Sequence, residues 1–266
     1  MMKNKLFLGG IIIASLLCLT CTAHAFTVDV DGKLDEWGVI PGPWGDSTWT
    51  PKSGITGIVD DYEPGTDGGY VSPGWGGQAF DVEAMYMTND IDNLYFAIVT
   101  GFPQSGAPGY TYIPGDIGLD LDKNGFYEYG ICVKNRNSTF KKGNLYKVTS
   151  ASAWANGLWT LKDPLSNPTY LNSFSGEQDF GGTNLTYNDD YYSADNHWVI
   201  EGYIPVLAFG SDWEHGKEIG AHWTMSCGNN YLNLDYTTTP EPATLSLLGL
   251  GILGLMGFRK KKKGRV

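Results

Sequence analysis

The chain has 266 residues, 42% of them hydrophobic, and a formal net charge of −11 at pH 7. That apolar content is too high for an intrinsically disordered chain and suits a folded body. The acidic balance excludes the basic footprint of a nucleic-acid binder or of a protein held electrostatically on anionic lipid.

The first 25 residues have the pattern of an export signal. Lys3 and Lys5 precede an apolar run over residues 6–19, and Ala23-His24-Ala25 supplies a small-x-small cleavage site, so the mature chain is expected to begin at Phe26. A lipoprotein reading through Cys18 or Cys21 fits poorly, because Leu17 and Thr20 stand where a small residue is wanted. Residues 26–239 then form the ectodomain. Ten of the 18 basic and 28 of the 29 acidic residues lie in it, which leaves it near −18. Neutral glycans, cations and basic surfaces stay open as partners.

Helical periodicity is nearly absent in this body, and 36 glycines and 13 prolines punctuate the chain. Short β-rich runs are predicted at 83–88, 94–100, 116–121, 127–134, 144–149, 198–205 and 221–227. Alternation places Trp198, Ile200 and Ile204 on one face with Val199, Glu201 and Tyr203 on the other, and lines up Tyr127, Tyr129, Ile131 and Val133. Many short strands without intervening helices predict an all-β, antiparallel β-sandwich of jelly-roll or immunoglobulin-like type.

The best candidate for chemistry is a metal site within residues 115–128. Asp120, Asp122 and Asn124 stand at relative positions 1, 3 and 5, Gly125 follows, and the Phe126 carbonyl would be the next ligand. This is the first half of a calcium loop, with oxygens spaced to converge on a hard cation. The bidentate glutamate of a full loop is missing, since Ile131 holds its place, so Glu128 or another carboxylate would have to complete the set. The alternative is a plain hairpin, because Asn-Gly between alternating runs is a strong turn signal and Asp122 could satisfy turn amides.

Other acidic groups are Asp60, Asp61, Glu63 and Asp67, and the pair Asp81 and Glu83. Two carboxylates on one face could serve a polysaccharide hydrolase as acid and base, which is the alternative to a non-catalytic body. Of nine tryptophans, Trp37, Trp198 and Trp223 sit in strand-like patterns and are expected in the core. Trp44, Trp49, Trp75, Trp154, Trp159 and Trp213 lie in loop-like sequence and are the candidates for stacking on sugar rings. His197, His215 and His222 lack metal-ligand spacing; His197 and His222, each before a tryptophan at a strand start, are assigned strand-end polar roles. Cys132 and Cys227, the two cysteines left after export, are expected to pair as a disulfide.

Three islands in the body carry a resemblance. Residues 30–37 read Val-Asp-Gly-Lys-Leu-Asp-Glu-Trp, residues 92–98 read Asp-Asn-Leu-Tyr-Phe-Ala-Ile, and residues 198–205 read Trp-Val-Ile-Glu-Gly-Tyr-Ile-Pro. Together they resemble family 9 carbohydrate-binding modules and related DOMON-like domains. That resemblance implies a β-sandwich, calcium in some members, and aromatic side chains that bind sugar in some. The Gly-rich stretch over residues 54–77 departs from a compact module.

The tail reads Pro240-Glu241-Pro242, then an uncharged stretch over residues 243–258, then Arg259 and Lys260 to Lys263. The uncharged stretch is short for a membrane-spanning helix, which needs about 20 residues, and the basic cluster behind it should stay cytoplasmic. Gly249, Gly251 and Gly254 match a dinucleotide-binding spacing but lie inside this apolar stretch and carry no such meaning. The motif, spacer and basic stop resemble the PEP-CTERM sorting signal of Gram-negative bacteria that make extracellular polysaccharide. The resemblance implies an exosortase partner that cleaves near Pro240, Glu241 and Pro242, with transient inner-membrane anchoring and an envelope, surface or matrix destination where extracellular polysaccharide is a further candidate partner. No catalytic residue is predicted.

Overall fold

The computed structural model describes residues 28–39, 49–60, 71, 76–182, 184–192 and 197–239. The signal segment, the tail with its sorting motif and apolar stretch, Trp44, Trp75, Asp61, Glu63 and Asp67 lie outside the described residues. Residues Thr27–Glu241 make one compact unit. Among the described residues, no helix is long and apolar enough to cross a membrane.

The described residues are mostly β, in two antiparallel sheets. In chain order the strands are β1 (Thr56–Val59), β2 (Val82–Asn89), β3 (Asn93–Thr100), β4 (Ile117–Asp120), β5 (Tyr129–Ile131), β6 (Leu145–Lys147), β7 (Gly176–Gln178), β8 (Leu185–Tyr192), β9 (His197–Pro205), β10 (Glu218–Thr224) and β11 (Tyr231–Thr237). The first sheet has the order β1-β2-β3-β9-β8 and the second β11-β10-β4-β5-β6-β7. Short 3-10 turns are the only helical pieces among the described residues.

Both sheets contribute to one core. Met85, Met87, Phe96, Ile98, Ile200 and Ile204 from the first pack with Leu119, Ile131, Trp223, Leu232 and Leu234 from the second. Alternation explains this: residues two apart share a face, so Ile98 opposite Ile200 and Leu94 opposite Ile204 bring four branched side chains to the same side. At roughly 25 cal/mol per Å² of apolar surface buried, that shared face is the main force holding the sheets together.

Each sheet is covered on its other face as well, which is why β2 and β3 read as nearly unbroken buried runs. On the first sheet, Leu34, Trp37 and Trp49 are fully buried. Trp37 packs 6.0 Å from Tyr86 and Trp49 packs 4.9 Å from His197. On the second sheet, Cys132, Phe140, Tyr146, Trp154 and Leu171 form a separate cluster, with Tyr127 packed against it. Tyr127 therefore parts from Tyr129, Ile131 and Val133: β5 begins only at Tyr129, so the alternation does not extend back to it.

Several expectations are corrected by burial. Trp37 and Trp223 are core residues as expected, whereas Trp198 is only partly buried against it. His222 lies inside β10, fully buried with Nδ1 2.6 Å from Asn233 Oδ1, and not at a strand end. The expected disulfide does not form: Cys132 and Cys227 are both buried free thiols. Cys132 follows β5 and faces the outer cluster, while Cys227 follows β10 and joins the inner core with Trp223 and Met225. β4 lies between β5 and β10, and two strand spacings are roughly 9–10 Å, beyond the ~7 Å that a disulfide spans between Cα atoms. Alkylation without reductant should accordingly leave Cys132 and Cys227 largely unlabelled in the folded protein and label both after unfolding, read by peptide mass spectrometry. Recovery of a Cys132–Cys227 linked peptide would reverse this assignment.

Candidate functional site

The β4–β5 connection holds the predicted cation ligands together. β4 and β5 pair antiparallel from Ile117↔Ile131 to Leu119↔Tyr129, so the intervening chain must reverse within a wide turn. Two left-handed residues make the reversal, Lys123 at φ 58° and Gly125 at φ 85°. Gly125 adopts this conformation without the steric penalty a Cβ would bring, which is the physical content of the Asn-Gly signal. The result is wider than the two-residue hairpin that the same dipeptide suggests.

Asp120, Asp122 and Glu128 each bring a carboxylate oxygen to within 4.8 Å of the other two. Turn amides hold them there. Asp120 Oδ1 accepts from Asn124 N at 3.1 Å and its Oδ2 from Gly125 N at 2.8 Å. Glu128 Oε2 accepts from Leu121 N at 3.0 Å and its Oε1 from Asn124 Nδ2 at 3.2 Å. Asn124 Oδ1 accepts from Phe126 N at 2.7 Å, which closes the turn. Lys123 sends its ammonium away from this group to Asp235, with Glu218 at 3.8 Å. Burial raises the Glu128 pKa, the Leu121 amide lowers it, and the nearby charges of Asp122 and Asp120 raise it further.

The chemistry of the set fits a hard cation. Oxygens on a coordination sphere of about 2.4 Å radius lie no more than about 4.8 Å apart, the scale set by calcium–oxygen distances. Asp120, Asp122 and Glu128 meet that limit as they stand. Asn124 is the adjacent oxygen donor, and the Phe126 carbonyl follows along the turn. Glu128, one residue before β5, is the third carboxylate of the group.

The remaining expected sites are dispersed. Asp81 and Glu83 are 1% and 0% exposed. Asp81 Oδ1 accepts from Asn230 Nδ2 at 2.8 Å and Val82 N at 3.0 Å. Glu83 Oε1 accepts from Gln78 Nε2 at 2.7 Å and lies 3.3 Å from His197 Nε2. Neither carboxylate faces solvent, and both are held by internal partners. Two of the sugar-stacking candidates are corrected in the same way. Trp49 is fully buried, and Trp154 is 7% exposed with its indole donating to Tyr127 O. Both fill the outer faces of the sheets. Trp213 is half-buried and stacks on Phe209 at 5.4 Å. Trp159 is half-buried too and lines a cleft of about 160 Å³ with Tyr110, Tyr112, Phe80 and Leu158. The tyrosines of that cleft stand in the spacing Gly109-Tyr110-Thr111-Tyr112, which is their only signal in the sequence.

Comparison with known proteins identifies only the tail. Residues 238–262 match the PEP-CTERM protein-sorting motif. No curated protein and no solved structure matches the chain. None of these comparisons supports the body's likeness to family 9 modules. What the matched tail establishes is an exported chain, sorted through an exosortase to the cell envelope.

Proposed function

We propose that this is a non-catalytic protein of the cell surface or its matrix, whose β-sandwich body binds a structural Ca²⁺ at the β4–β5 turn. The observation that carries the reading is the convergence of Asp120, Asp122 and Glu128 within 4.8 Å. Three carboxylates at that separation repel one another, and a divalent cation reverses the sign of that interaction. Asp120 is 5% exposed, so its charge is only weakly screened. Resemblance to the carbohydrate-binding modules points the same way, toward an ion that stiffens a loop between strands. Extracellular modules of this kind bind calcium with Kd of about 10⁻⁴–10⁻³ M.

Thermal unfolding with and without calcium tests this reading. At calcium about 100-fold above Kd, the protein should gain about 2.7 kcal/mol, and chelator should remove the gain. Asp122→Asn should abolish the response while slightly raising stability in chelator, because it removes a repulsive charge. A turn that needs no ion would show no calcium response, or one that survives in both Asp122→Asn and Glu128→Gln.

A further inference from the structure

We propose, resting on the calcium reading of the β4–β5 turn, that the bound cation also locks the leading half of the 151–172 arm onto the second sheet, and that Trp154 is the positioning residue that joins the two.

The arm doubles back on itself. Trp154 bridges Leu171, Ala155 N donates to Tyr170 O at 2.7 Å, and Thr169 N donates to Ala155 O at 3.0 Å. Its two halves are held in different ways. The trailing half is fastened to the start of β4. Asp116 N donates to Thr169 O at 2.8 Å, Leu171 N donates to Asp116 Oδ2 at 2.9 Å, and Arg136 Nη2 donates to Leu171 O at 3.1 Å. None of these bonds involves the cation turn.

The leading half is fastened to the turn itself. The Trp154 indole donates to Tyr127 O at 3.0 Å. Gly130, in β5, lets the indole lie flat against the sheet, because a Cβ there would fall 2.7 Å from Trp154 Cη2. Trp154 is 7% exposed, so an indole N–H that lost this carbonyl would have to leave its cluster to reach water. Beyond it, Leu158 N donates to Cys227 O at 2.8 Å, where the arm turns outward and exposes Leu158 and Leu161.

Tyr127 stands between two of the cation's donors, the Phe126 carbonyl and the Glu128 carboxylate. Its own carbonyl belongs to the planar unit that ends at Glu128 N, so Tyr127 O and the Glu128 backbone turn together. With no cation, the carboxylates of Asp120, Asp122 and Glu128 repel one another across less than 4.8 Å, and relief of that repulsion moves Glu128 and swings Tyr127 O off the indole. A cation draws the same groups inward and keeps the acceptor in place. The coupling is reciprocal, so a docked Trp154 raises calcium affinity by the factor by which calcium favours docking. At the affinity of extracellular modules, about 10⁻⁴–10⁻³ M, the leading half is held down in calcium-rich surroundings and released where calcium is scarce.

The test is site-resolved hydrogen exchange of the full chain in mild detergent, in chelator and at calcium about 100-fold above Kd, with calorimetric titration of calcium alongside. Calcium should slow exchange of the Trp154 and Ala155 amides about tenfold or more, where complete coupling would give about 100-fold. The Leu171 amide should change far less. Asp122→Asn should remove the effect, and Trp154→Phe should weaken calcium binding about fivefold, while Trp213→Phe leaves it unchanged. Calcium binding that is lost in Asp122→Asn but leaves the Trp154 and Ala155 amides unaltered would overturn the coupling and leave the cation site standing. Equal slowing at Leu171 would mean general stabilisation and would overturn it too, as would unchanged affinity in Trp154→Phe. Absence of any calcium binding would overturn both the coupling and the site.

Discussion

Asp116→Ala should lower the unfolding free energy by about 3–5 kcal/mol, the cost of leaving a buried partner charge uncompensated. Asp116 is fully buried at the start of β4, and its side chain ties three segments. Oδ1 accepts from Arg136 Nη1 at 2.6 Å, and Oδ2 accepts from Leu171 N at 2.9 Å. Arg136 Nη2 donates to Leu171 O at 3.1 Å, so the guanidinium bridges the carboxylate and the same residue's carbonyl. The Arg136 plane also lies 4.6 Å from the Phe140 ring and 5.4 Å from the Tyr170 ring. Arg136→Lys should recover little, because an ammonium cannot reach Asp116 and Leu171 together in the guanidinium's forked geometry. The double variant Asp116→Asn with Arg136→Met should be less damaging than the sum of its parts, because neither charge is then stranded. Chemical denaturation of the wild type, these three variants and the singles Asp116→Asn and Arg136→Met measures this. An Asp116→Ala cost under about 1 kcal/mol would show that the pair is effectively solvated.

Legibility in the sequence followed local chemistry. The strands with strong β-branched or aromatic alternation, such as β3 and β9, were predicted within a residue or two. β11 was equally legible by pattern, since Leu232, Leu234 and Tyr236 alternate with Asn233 and Asp235, yet it is not among the predicted strands. β1 was hidden because four residues beside a Gly-rich stretch carry no period, and it exists only because β2 offers it an edge from Thr56↔Met87 to Val59↔Ala84. That Asp120, Asp122 and Glu128 come together was legible from spacing, because the turn is local. The disulfide failed for the opposite reason. Whether Cys132 and Cys227 meet depends on strand order and on which face each occupies, and neither is written in the spacing of two residues 95 positions apart. Tryptophan exposure failed likewise: Trp49 and Trp154 sit in loop-like sequence, but those loops fold back over the outer faces of the sheets.

Glu201→Gln should destabilise the protein by about 3 kcal/mol at pH 5, and the deficit should shrink as pH rises toward 8. Glu201, fully buried in β9, joins the 30–37 segment to the first sheet. Its Oε1 accepts from the Trp37 indole at 2.8 Å, and its Oε2 from Gly32 N at 2.8 Å and Asp31 N at 3.1 Å. Gly32 has φ 78°, and a Cβ on it would fall 2.5 Å from Asn188 Cβ, so only glycine lets the 30–37 segment lie this close to the first sheet. The glutamine amide would turn N–H groups toward N–H donors, and one or more buried donors left unsatisfied costs about 1–3 kcal/mol each. Burial pushes the Glu201 pKa up to about 7, against the pull of the Trp37 indole and the Gly32 amide, while the nearby charges of Glu36 and Asp31 raise it further. The sign of the pH dependence follows. Between the ordinary value of 4.5 and about 7 the folded protein holds a proton that the unfolded chain has released, so this group's stabilisation is greatest at low pH and is lost through that window. Two and a half pKa units correspond to about 3 kcal/mol. His222 works in the opposite direction. Burial lowers its pKa to about 4, so its contribution is present above 6.5 and is lost as pH falls toward 4. The difference between wild type and Glu201→Gln cancels the histidine, which is why the gap between the two curves, and not either curve alone, is the measurement. A gap that widened with pH would mean that three N–H donors outweigh burial and that the clasp is held by the carboxylate. Trp37→Phe separates the two contributions, since it removes one donor while keeping most of the ring that packs on Tyr86.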